Sequence, residues 1–274
     1  MLETPFAKNY DCMDSQPPEN QMSTARENPM KPLNYDAVRP FLSAGLVALD
    51  RQQIELLRSL SFASLFTINP YVATKPSLAA GKIVMGRLDT MLAMHEQILF
   101  SDLLVELAIF VASETLDGDR SDVPGSNLKL THSDITYLIS IEPYWSWHVN
   151  SQDRIPKYPN QTLTLANLAN QDTRLLHGIC YGKAKTDLEQ GILVGADFWR
   201  FVSGDHLLYT DIIQPLAERV KLRSAAFTQE YARVVNRFTR QFIERFCDET
   251  GAIDWVKLVE FNSGNYDLDR FPPA

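Results

Sequence analysis

Hydrophobic periodicity along the chain changes twice, from helical spacing to strand alternation and back. Residues 1–33 are polar and dotted with proline (Gln16-Pro17-Pro18-Glu19-Asn20) and carry too little apolar surface to order themselves. They read as a disordered leader, with Met30 as a candidate natural start, ahead of a single domain over 34–274. From Asn34 the spacing is helical, with Asp50 a candidate cap for 51–60 and Asn69-Pro70-Tyr71 a break. A second helical block covers 77–116, with an interruption expected near Ser101-Asp102. Its last part, 103–110, is nearly continuous apolar sequence around one carboxylate, Glu106. A buried carboxylate there needs a metal, a neighbouring arginine or a helix N-terminus, because an unpaired buried charge is costly.

Strand-like text follows the polar turn at 117–122. Leu128 and Leu130 alternate with Lys129 and Thr131, and His132-Ser133-Asp134 turns into an apolar strand over 135–142. The two segments form a hairpin. A short helix is expected over 162–171 and a third strand over 175–181. From Ala196 the pattern is helical again, with Pro215 opening a long helix that reaches about Asp248. Helices, a few strands and helices again indicate an α/β fold, a small mixed sheet flanked by N- and C-terminal helices.

Composition narrows the function. Three widely spaced cysteines (Cys12, Cys180, Cys247) make neither a disulfide framework nor a zinc spacing, and the five histidines form no short metal-binding pair. The pattern suits a reducing cytoplasm. No apolar run is long enough to span a membrane, and the N-terminus lacks the build of a secretory signal. A net charge of −8 argues against nonspecific coating of nucleic acid but leaves room for a local basic strip. Such a strip emerges when residues 216–246 are laid out as one helix: Arg219, Arg223, Arg233, Arg237 and Arg240 fall beside the arc of Phe227, Val234, Phe238 and Phe242. Guanidinium forks suit phosphate oxygens, so the strip is a candidate DNA-backbone contact; a solvated face paired with acids is the competing reading. No Gly-x-Ser-x-Gly, phosphate-binding loop or His-rich pair supports an unrelated hydrolase.

Several blocks, taken in order, resemble the PmeII-type family of type II restriction endonucleases, the group that includes the EcoO-type enzyme. They are Asn69-Pro70-Tyr71, the segment 105–110, Gly178-Ile179-Cys180-Tyr181-Gly182-Lys183, Phe198-Trp199-Arg200-Phe201-Val202-Ser203-Gly204-Asp205, Asn236-Arg237-Phe238-Thr239 and the segment 255–263. The resemblance implies a PD-(D/E)xK restriction-endonuclease-like core and a homodimer that uses Mg2+ to cut double-stranded DNA at a short, nearly palindromic site. In such a centre two carboxylates hold the metal and a lysine stabilises developing charge. Aligned with the family's Gly-Ile-Asp-Leu-Glu-Phe strand, this chain reads Gly125-Ser126-Asn127-Leu128-Lys129-Leu130, so Asn127 takes the metal-binding Asp position and Lys129 replaces an acid. Aligned with the family's Ser-Ile-Lys strand it reads Ser140-Ile141-Glu142, so Glu142 takes the catalytic lysine position; Trp147, Ser151 and Gln152 persist beyond it.

The resemblance therefore implies a DNA-binding homologue whose phosphodiester cleavage is weakened or lost, with Asn127, Lys129, Ser140 and Glu142 at the catalytic positions. A rearranged Mg2+ centre is the alternative, with Lys129 serving from the neighbouring position and Glu142, Glu106 and Asp122 as metal ligands. A non-catalytic dimeric interaction protein is the third reading. Pairing register between the two hairpin strands decides whether the four catalytic-position residues converge.

Overall fold

In the computed structural model, residues 30–67, 79–144, 173–213 and 224–264 are described. Residues 1–29 of the leader, Asn69-Pro70-Tyr71, the tryptophans Trp145 and Trp147 with Ser151 and Gln152, the helix expected over 162–171, and Pro215, Arg219 and Arg223 lie outside them.

A five-stranded mixed sheet runs β1-β2-β3-β4-β5: β1 (Asp119–Arg120), β2 (Leu128–His132), β3 (Ile135–Tyr144), β4 (Thr173–Tyr181) and β5 (Ile192–Val194). The first three strands are antiparallel and the last three parallel. The hairpin between β2 and β3 forms as its alternation predicts. His132 pairs with Ile135, leaving a two-residue turn in which Ser133 and Asp134 both adopt positive φ, the twist that such tight hairpins favour.

Seven helices flank the sheet among the described residues. Helix α1 (Tyr35–Ser59) is capped by the Asn34 side chain, which accepts from the Asp36 N–H, and α2 (Phe62–Phe66) carries a Ser61/Ser64 capping box. Asp50 caps nothing: it lies within α1, whose buried stripe of Val38, Leu42, Gln53 and Leu57 passes straight through it. Helix α3 (Ala80–Leu116) is likewise continuous through Ser101-Asp102. The Ser101 hydroxyl donates to the Gln97 carbonyl one turn back, so it is absorbed by the helix rather than breaking it. At 37 residues α3 spans about 55 Å. Its C-terminus closes with Asp117 at positive φ and the Gly118 N–H on the Ala112 carbonyl. Helices α4 (Ala196–Ser203), α5 (Leu208–Asp211), α6 (Ala225–Phe246) and α7 (Trp255–Phe261) complete the set.

Two apolar clusters share α1 and α3. One covers a single sheet face: Leu104, Leu107, Ala108 and Val111 of α3 meet Leu128, Leu130, Ile139, Ile141 and Cys180, with Phe198 and Trp199 of α4 beside them. The Trp199 indole N–H donates to the Cys180 carbonyl at 3.0 Å, tying α4 to β4. Residues 30–33, read above as the end of the leader, lie against this cluster through Met30 and Leu33, with the Lys31 N–H on the Thr115 carbonyl. The second cluster is aromatic: Phe62 and Phe66 pack on Phe238, Phe242, Phe246 and Phe261, beneath Ile83, Val84 and Leu88 of the first half of α3.

Candidate active site

Strand alternation sorts the hairpin and its parallel neighbour into two faces. Leu128, Leu130, Ile139 and Ile141 look into the α3 cluster. Lys129 pairs with Leu138, and Ser140 pairs with His177, so Lys129, Ser140, Glu142 and His177 belong to the opposite face. Lys129 is exposed; Ser140, Glu142 and His177 are partly covered.

Sharing a face is not convergence. Lys129 stands abreast of Leu138, four residues along the strand from Glu142, or about 13 Å at the rise of a β-strand. A lysine side chain does not bridge that gap. Asn127 sits closer. Its N–H donates to the Ile139 carbonyl at 2.8 Å, and its side-chain amide oxygen accepts from the Ile141 N–H at 2.7 Å. Asn127 thus extends the β2–β3 ladder with its side chain beside Ser140, and its only side-chain oxygen is already engaged.

Glu142 meets a histidine. Its Oε2 lies 3.1 Å from His177 Nε2 across the β3–β4 pair. This is the functional candidate that sequence reasoning missed. A strand over 175–181 is visible in the sequence, but nothing there says that it will run parallel and adjacent to β3 and bring His177 beside Glu142, 35 residues away.

Glu106 and Asp122 are placed differently from the rearranged centre. Glu106 is exposed on α3 rather than buried, because the apolar run around it turns Leu103, Leu104, Leu107 and Ala108 inward instead. The Arg120 guanidinium binds both of its carboxylate oxygens. Arg120 pairs with Leu128, on the α3-covered face, whereas Glu142 projects from the other side of the sheet. The expectation that Glu106 joins Glu142 on one ion is therefore corrected: sheet alternation and the Arg120 ion pair keep them apart. Asp122 is exposed in the connection after β1. Among the described residues, no group of three or more His, Cys, Asp or Glu could hold a metal ion. A hard Mg2+ ion needs several free oxygen donors; here Asn127 is tied to the backbone, Glu142 to His177 and Glu106 to Arg120. These residues do not fit it.

The long-helix reading also changes. Helix α6 begins at Ala225, because Ser224 is extended and its side chain accepts from the Phe227 N–H as an N-cap. A single helix from 215 is thereby corrected, and Arg219 and Arg223 precede the first turn. The three arginines of that strip that lie on α6 each have a partner within the chain. Arg233 donates to Glu230 at 3.1 Å, Arg237 donates to the Leu60 carbonyl, and Arg240 donates to Glu244 at 2.7 Å. Arg233 and Arg240 remain well exposed, so each still offers donors to solvent.

No helix among the described residues is long and apolar enough to cross a membrane. A family model described as type II restriction endonuclease EcoO109I matches residues 36–224, more than half of the chain. A comparison with curated proteins finds no match.

Proposed function

This chain belongs to the EcoO109I family of type II restriction endonucleases, and from that premise we propose that it binds duplex DNA at a short, nearly palindromic site but cleaves it weakly or not at all. The family is one of DNA-binding nucleases that generally use Mg2+. The observation that carries the proposal is Glu142: an anion stands where the PmeII-type resemblance calls for the catalytic lysine, and it is satisfied by His177. Asn127, at the position of a metal-binding acid, brings one neutral oxygen, and the sheet uses it.

Charge arithmetic fixes the size of the effect. Losing one preorganised electrostatic contact costs about 10²- to 10³-fold in rate, and two positions have changed here. Glu for Lys reverses the local charge beside the scissile phosphate, while Asn for Asp removes a formal charge from the metal position. Binding depends on other parts. Exposed arginines such as Arg233 and Arg240 keep free donors for backbone phosphates, and assembly as a homodimer would present them twice. The rearranged-centre reading is the weaker one, because Lys129 is too far along the strand to stand in for a lysine at 142.

Filter-binding and plasmid-nicking assays over a salt series test the proposal. Retention of DNA without nicking is the expected result. Mg2+-dependent cutting at the rate of an intact family centre overturns it, and neither binding nor cutting indicates the interaction-protein reading. A sharper test combines Asn127→Asp with Glu142→Lys. The double variant should raise Mg2+-dependent nicking at least about tenfold; an unchanged or lower rate counts against these two positions as the altered ones.

A further inference from the structure

We infer that His177 is a positioning residue for DNA binding: it draws the Glu142 carboxylate toward β4 and so keeps that anion out of the path of an incoming phosphate. The inference rests on the reading above, in which the DNA backbone passes Glu142.

The two side chains come from adjacent parallel strands. Ser140 pairs with His177 and Glu142 with Ile179, so the imidazole and carboxylate lie diagonally on one face. Nε2 and Oε2 are 3.1 Å apart, within hydrogen-bonding range. Both are largely covered, with side-chain exposures of 19% for His177 and 28% for Glu142. A carboxylate with so little access to water needs a fixed partner, and without one it turns toward whatever solvent it can reach. Asn127, just before β2, spends its side-chain oxygen on the Ile141 N–H, and the donor within reach of the Glu142 carboxylate is His177 Nε2.

A free Glu142 would therefore turn toward the solvent it can reach, and on the reading above that is the side from which a phosphate oxygen approaches. Like charges held together in a half-buried setting repel strongly, and an interface that juxtaposes them loses affinity. Bound to His177, the same anion is directed along the sheet and its charge is shared with a donor. His177 touches neither DNA nor a reacting atom in this scheme. It acts through Glu142.

Retention of a fluorescent duplex pool of randomised sequence, at fixed pH and low salt, tests this with four proteins besides the wild type: His177→Ala, His177→Gln, Glu142→Gln and the double variant His177→Ala/Glu142→Gln. His177→Ala should bind about 5- to 30-fold more weakly, a value within the range of coupling between contacting residues. His177→Gln keeps an N–H donor and should stay near wild type. Glu142→Gln should bind at least as tightly as wild type. Adding it to His177→Ala should restore retention, which a purely structural histidine would not permit. Wild-type affinity in His177→Ala, or a loss that Glu142→Gln fails to rescue, overturns the inference. If His177→Ala does not fold, weakened binding by Glu142→Gln alone does the same. Absence of retention in every protein, wild type included, overturns the DNA-binding reading and this inference with it.

Discussion

Asp205 shows how a single carboxylate can fasten two distant stretches of chain. Its Oδ1 accepts the Leu207 N–H at 2.8 Å and its Oδ2 accepts the Tyr35 hydroxyl at 2.7 Å, joining the start of α1 to the loop after α4. The Leu207 N–H first, then the Tyr35 hydroxyl, hold this carboxyl below the usual aspartate range. Burial, reinforced by Asp205 itself, pushes the Tyr35 phenol well above its ordinary value, so it remains a donor at every working pH. A depressed folded-state pKa contributes stability that is present above the unfolded value, about 3.9 for aspartate, and fades as pH falls through the folded one. Asp205→Asn should therefore cost about 1 kcal/mol at neutral pH, a modest figure because the site is open to solvent. Urea denaturation across a pH series should show the gap between variant and wild type closing in acid; a gap that stays constant would assign the loss to packing. At this scale the identities at 127, 129 and 142 were legible in the sequence, because a residue type is read directly. The use of each was not. Asn127 as a ladder acceptor, His177 beside Glu142 and Arg120 on Glu106 all depend on which strand lies next to which.

Among the elements, β4 and α4 are matched to one another through a glycine. A Cβ on Gly178 would come within 2.3 Å of the Phe198 ring, and that ring is fully buried. Gly178→Ala should destabilise the protein by about 1–3 kcal/mol, seen as a lower Tm, since an aromatic wedged between strand and helix has nowhere to move. Gly45 offers the control: its added methyl would meet only the tip of the Leu103 side chain, which can rotate, so Gly45→Ala should cost much less. A larger fall for Gly45→Ala than for Gly178→Ala would contradict this account. The hairpin, α1, α3 and β4 were readable from periodicity because each is long enough to show a period. Strands β1 and β5, of two and three residues, are too short to alternate visibly, and both exist only because a neighbour pairs with them. The start of α6 was misplaced for a different reason: Pro215 is a good opening residue, but the Ser224 side chain caps the helix one residue before Ala225.

For the whole molecule, α3 decides the outcome. Its first half buries Ile83, Val84 and Leu88 in the aromatic cluster, and its second half buries Leu104, Leu107 and Val111 against the sheet. One continuous helix threading two cores makes it difficult to melt either alone. Thermal unfolding should accordingly be a single transition, coincident by far-UV and near-UV circular dichroism. Phe242→Ala, at a site with no solvent exposure in the aromatic cluster, should cost about 3–5 kcal/mol and lower both signals together. Two separated transitions would mean that the helix does not couple the clusters. The fold class followed from the order of elements in the sequence, helices then strands then helices, and the family match agrees with it.

The amide oxygen of Asn127 has one more implication, for ancestry. A carboxylate has the same outline as an amide but two acceptor oxygens, so Asn127→Asp could keep its tether to the Ile141 N–H and still turn a second oxygen outward. The genetic code separates Asn from Asp, and Glu from Lys, by one nucleotide each. On the proposed reading, those two changes return one carboxylate and the lysine to the hairpin with no strand to rebuild, while the acid replaced by Lys129 is still wanting.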